Sequence, residues 1–130
     1  MNTSELVKNG NGYTVVTVGN IAEFEGKAFL KETLATTGME VSFGTLPAGA
    51  AVPFNHKHKQ NEEVYNILSG KGVFTLDGET VEVEAGSVVR IAPAVSRCTT
   101  NNGTEPLAYI CIQAKEGSLE GYTFTDAIVE

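Results

Sequence analysis

One hundred and thirty residues, 13.8 kDa in all, make one domain and are too few for two cores with separate cofactors. Nine Lys plus Arg against sixteen Asp plus Glu leave a net charge of −7 with no basic stripe, which argues against nucleic acid and anionic membrane as partners. No apolar run approaches the ~20 residues that span a bilayer, and the polar start Met1–Glu5 lacks the cationic and apolar regions of a secretory signal. A cytoplasmic chain is therefore expected, with Cys98 and Cys111 as separate thiols rather than a disulfide.

In chain order, the residues up to Gly12 read as a loose start. The β-branched and aromatic run Tyr13–Val18, closed by Gly19-Asn20, reads as a first strand. Between Phe24 and Thr36, Ala28, Phe29, Leu30 and Leu34 are set among good helix formers, and Gly38 stands where a left-handed cap would follow, so a short helix is predicted there. From Met39 the period changes to two: Met39, Val41 and Phe43 alternate with Glu40, Ser42 and Gly44 as in a strand with one face inward. Leu46–Ala50 is a turn, Val52–Lys59 a short extended piece, and Val64–Leu68 an apolar strand ending at Ser69-Gly70. Val73–Leu76 and Glu79–Glu84 flank Asp77-Gly78, whose residue types suit the positive φ angles of a tight hairpin. Val88–Ile91, Arg97–Thr100 and Leu107–Gln113 complete a set of about eight short strands, which is the pattern of an all-β sandwich or barrel.

The chain has two histidines, His56 and His58, one residue apart in the extended piece. Residues i and i+2 of a strand project from one face, so both imidazoles can meet a single ion at ~2.1 Å. Solvation on an edge strand is the competing reading for such a pair taken alone. Glu63 is at an odd offset from His58, but Gln60-Asn61 has turn character that resets the phase and lets the carboxylate join the imidazoles. Tyr65 shares the face of Glu63 and is either a pocket wall that donates a hydrogen bond or a core residue. Of the two arginines, Arg90 reads as a solvated partner for a glutamate, and strand alternation turns Arg97 away from the metal. Cys111, between Ile110 and Ile112, reads as a core residue.

The series His56-x-His58-x4-Glu63-x6-Gly70, with Gly49 upstream, resembles the first motif of the cupins, apart from one extra residue between Gly49 and His56. Gly86-SVVRIA-Pro93-Ala94-Val95-Ser96-Arg97-Cys98-TTN-Asn102 resembles the second. In it Val95 stands for the family glycine and Cys98 for the histidine that normally completes the metal site. The resemblance covers about residues 40–113 of a single domain over 1–130. It implies a jelly-roll β-barrel with one short N-terminal helix, one divalent ion per chain (Fe, Zn, Ni or Mn) inside one end, and a homodimer. The ligand set it implies is His56, His58 and Glu63, with Cys98 either a fourth, thiolate ligand or a small apolar filler. Two function classes follow. One is a metal-dependent enzyme of oxygenase or isomerase type acting on a small, anionic organic molecule, with Glu63 or Tyr65 assisting proton transfer. The other is a barrel that binds or senses a small ligand or metal without turnover. The C-terminal residues Glu116–Glu130 fit either a lid or a strand exchanged between subunits.

Overall fold

Asp77 and Gly78 take the positive φ values, 50° and 83°, that a two-residue hairpin demands, and around them the chain folds as strand period and turn chemistry require. The computed structural model describes residues 4–122 and 124–130; residues 1–3 of the polar N-terminal stretch, and residue 123, lie outside it. The elements in order are β1 (Glu5–Asn9), β2 (Thr14–Thr17), β3 (Lys27–Phe29), α1 (Lys31–Leu34), β4 (Glu40–Leu46), β5 (Asn61–Ser69), β6 (Lys71–Leu76), β7 (Glu79–Glu84), β8 (Val88–Ile91), β9 (Arg97–Thr100) and β10 (Leu107–Lys115). The regular elements among the described residues are strands apart from one short helix. No helix among the described residues is long and apolar enough to cross a membrane.

A five-stranded sheet, in the order β3-β4-β10-β5-β8, faces a three-stranded sheet ordered β7-β6-β9, with all pairings antiparallel. The segment 51–58 lies beside β9 and extends the smaller sheet: Val52 N–H donates to Thr99 O, and His56 and Arg97 exchange both backbone hydrogen bonds. Between the sheets lies the core of Tyr65, Ile67, Phe74, Val83, Ile91, Leu107 and Cys111. A second cluster of Phe24, Ala28, Leu30, Phe43 and Ala108 packs on the other side of the larger sheet, with Phe24 edge-on to Phe43 at 4.8 Å. The N-terminal residues thus cover the face that Val41 and Phe43 present, while Leu46 packs against the barrel core.

Three expectations are corrected. The loose start is a strand: β1 pairs antiparallel with β2 in a separate two-stranded sheet, its residues all exposed, so no apolar alternation marked it. The helix expected over 24–36 shrinks to Lys31–Leu34, because Lys27–Phe29 instead forms a strand on the edge beside β4. Its left-handed cap is Ala35, at φ 62°, and not Gly38. The second motif is also shifted by one residue. The asparagine that fixes the β9–β10 connection is Asn101, fully buried, whose amide donates to Leu46 O and Glu105 O, both at 2.8 Å, while its Oδ1 accepts from Gly103 N–H. Asn102 is exposed.

Gly70 shows what its motif position requires. It turns β5 into β6 at φ 81°, and a Cβ there would collide with the carbonyl of Pro106. These contacts give two expectations for urea unfolding. Asn101→Ala, which removes a fully buried side chain and strands its three hydrogen-bonding partners, should cost about 3 kcal/mol, whereas Asn102→Ala should stay within about 0.5 kcal/mol of the parent. Equal effects would return the motif to Asn102.

Candidate metal centre

Glu63 is placed by β5, where Glu63, Tyr65 and Ile67 alternate inward, between β8 and β10. The bend at Lys59-Gln60 before that strand resets the phase, as the turn character of Gln60-Asn61 suggested. His56 and His58 come from the segment beside β9, held by the His56–Arg97 bridge and by the bond from His58 N–H to Pro93 O at 2.9 Å. Their rings stand 5.3 Å apart and nearly perpendicular. One ligating atom each from His56, His58 and Glu63 lie within 4.8 Å of one another, and these are the three residues the spacing brought forward.

The donor set fits a divalent cation. His56 Nδ1 and His58 Nε2 are buried without a hydrogen-bond partner, so each keeps an unused nitrogen. His58 Nε2 lies 3.3 Å from Glu63 Oε2, close enough for attraction but without hydrogen-bond geometry. Burial lowers the His56 pKa, with Glu63 opposing and His58 and Arg97 adding to the effect, so its imidazole stays neutral. Neutral imidazoles and an ionised carboxylate are the protonation states a metal needs. Burial pushes the Glu63 carboxyl up, but hydrogen bonds from Arg97 and Cys111, together with the Arg97 charge, outweigh it and hold it below the usual carboxylate range.

The side chain that enters from β9 is Arg97, which corrects the expectation that alternation would turn it away. It is 1% exposed, and its Nη1 donates to Glu63 Oε1 at 2.7 Å. The corrected register of the second motif explains this: Arg97, four residues before Asn101, stands at the position that Cys98 would hold if Asn102 were the motif asparagine. Cys98 lies outside the group of three, and its thiol donates to Val52 O at 3.1 Å. Cys111 is a core residue, as read, and has a contact that was not foreseen: its thiol donates to Glu63 Oε2 at 3.4 Å. The signal was in the pairing, since Cys111 sits opposite Tyr65 and therefore diagonal to Glu63 on one face. Arg90 pairs with Glu62 on the surface at 3.3 Å, which leaves Glu62 out of the site.

Of the three ligands, His56 lines a cavity of about 250 Å³, whose other lining residues include Phe29, Val52, Phe54, Tyr65, Arg97 and Tyr109. Tyr65 packs against Phe74 and Tyr109 at ring distances of 5.0 and 5.6 Å, so it is core and cavity wall at once. Burial pushes its hydroxyl far above the usual range, which keeps it a donor, and pushes Tyr109 up to about 12.

Residues 42–113 match the family model described as Cupin domain, and the chain belongs to the cupin family. It is similar to a crystal structure of a cupin protein from Bacteroides fragilis, 49% identical with a TM-score of 0.86, over 93% of this chain and 99% of that one. Among curated proteins it is similar to an uncharacterized protein of Methanocaldococcus jannaschii, 43% identical over 43% of this chain and 45% of that protein. It is also similar to an oxalate-binding protein of Thermotoga maritima, 36% identical over 52% of this chain and 54% of that protein. The chain thus spans about half the length of the curated relatives it matches.

The two thiols should separate cleanly. Burial, then Glu63, pushes the Cys111 thiol up to about 12, and the residue is 2% exposed, whereas Cys98 is only half-buried. Titration with a disulfide reagent at pH 8 should find no more than one reactive thiol in the native protein and two after unfolding in guanidinium. Cys111→Ser should leave the native signal unchanged.

Proposed function

We propose that the protein is a single-domain, cytoplasmic, metal-dependent cupin that acts on a small organic anion held in the cavity beside His56, His58 and Glu63. The observation that carries this reading is the convergence of three ligating side chains, two with unpartnered buried nitrogens, one of which, His56, also lines a small cavity. When bound, a divalent ion (Fe, Zn, Ni or Mn) supplies Lewis acidity or oxygen-activating chemistry of the oxygenase or isomerase type. His56 and His58, with their unpartnered nitrogens, would hold it together with Glu63, whose Oε2 is turned to His58 while Oε1 is engaged by Arg97. Two histidines and a carboxylate leave coordination places for substrate, and Cys98 is not needed to complete them. Phe29, Phe54 and Val52 line the cavity, and Tyr65, also in its wall, would donate a hydrogen bond to a substrate oxygen.

The second reading, a barrel that binds a small ligand without turnover, draws on the similarity to the oxalate-binding protein. Turnover separates the two. Anaerobic iron(II) reconstitution followed by oxygen uptake over a panel of keto and hydroxy acids, enediols and phenols should find a consumed substrate. Binding without consumption of any favours the second reading.

Elemental analysis of untagged protein should find one metal per chain, lost in the double alanine variant of His56 and His58. Equal content in both would sink the assignment. Glu63→Gln should weaken metal binding by at least about tenfold and lower turnover, while Cys98→Ser keeps the metal. We further propose a homodimer, supported by the exposure of Leu119, Tyr122, Phe124 and Ile128 in the C-terminal segment. Sedimentation should give about twice 13.8 kDa, and a mass near 13.8 kDa at micromolar concentration contradicts it.

A further inference from the structure

Four of the five N–H donors of Arg97 are used inside the protein. Nε donates to Val95 O at 3.1 Å, and Nη2 to Ala92 O and Val95 O, both at 2.8 Å, and to Pro93 O at 3.2 Å. Nη1 holds Glu63 Oε1. A guanidinium fixed in this way has no fork left for a substrate. It does set a permanent positive charge, which no accessible pH removes, against the one carboxylate of the metal centre. Glu63 is the only acidic partner of Arg97 among the described residues.

We infer that Arg97 is a resident cation that competes with the metal for Glu63: it balances the carboxylate in the metal-free protein and keeps affinity for divalent ions low. The inference rests on the metal-centre reading above, and it makes Arg97 a positioning residue rather than a catalytic one. Two effects of the side chain oppose each other. By holding Oε1, Arg97 aims Oε2 toward His58, which favours an ion. By standing at hydrogen-bond distance from the carboxylate that the ion would share, it repels a dication across a dry interior. The first effect is worth one charge-assisted hydrogen bond, whereas the second acts between full charges where screening is weak, so repulsion wins.

Calorimetric titration of chelator-stripped full-length protein with Co²⁺ and Zn²⁺, together with metal-free thermal melts, tests this. Arg97→Met should bind at least tenfold more tightly than the parent, melt at a lower temperature without metal, and recover more on metal addition. Arg97→Gln, neutral but still able to donate to Glu63, should shift affinity in the same direction and serves if the methionine variant does not fold. Arg97→Lys keeps the charge and should stay within threefold of the parent; tenfold tightening there overturns the inference. Neutral variants that bind as well as the parent or more weakly also overturn it and leave the metal centre standing. Absence of binding in all of them, or binding undiminished when both histidines are alanine, removes the metal reading itself and this inference with it.

Discussion

The buried pair of Glu63 and Arg97 is the contact on which the functional end of the barrel depends. A carboxylate 3% exposed between two neighbouring strands needs a counter-charge, and Arg97 supplies it while tying the 92–95 loop to the same spot through three carbonyls. Breaking such a pair by removing one partner leaves an uncompensated buried charge, at a cost of about 3–5 kcal/mol. The pair also decides which oxygen of Glu63 faces the histidines. The backbone bridge between His56 and Arg97 then carries the imidazoles to that oxygen, so one strand register controls all the charged groups of the site.

That dependence on register explains what could and could not be read from the chain. Because side chains alternate along a strand, a slip of one residue exchanges its faces. Assigning the motif asparagine to Asn102 instead of Asn101 put Arg97 outward, whereas it is buried against Glu63. Two adjacent asparagines carry nothing in composition that separates them; only burial does. The His56-x-His58 pair and Glu63 were legible because spacing and a local turn fixed their direction without needing a partner strand. The helix misreading has a different origin. Ala28 and Leu30 are apolar at helix-compatible spacing, yet they are buried through β3 and the turn after it, where pairing with β4 outweighs propensity over so short a stretch. The β1–β2 sheet left no trace because β1 is exposed along its whole length.

The remaining chemistry of the cavity follows from what surrounds the centre. Tyr65, Tyr109 and Cys111 are all held in their protonated forms by burial, so they surround the Glu63 carboxylate with hydrogen-bond donors.

The central claim is that His56, His58 and Glu63 hold one ion while Arg97 and Cys98 do not. A crystal grown with Zn²⁺ or Co²⁺ and measured at the metal absorption edge answers it directly. The account predicts a single anomalous peak about 2.0–2.2 Å from a nitrogen of each imidazole and from Glu63 Oε2, with the Cys98 sulfur beyond bonding distance. A peak bound by the Cys98 sulfur, or none at the two histidines, contradicts it.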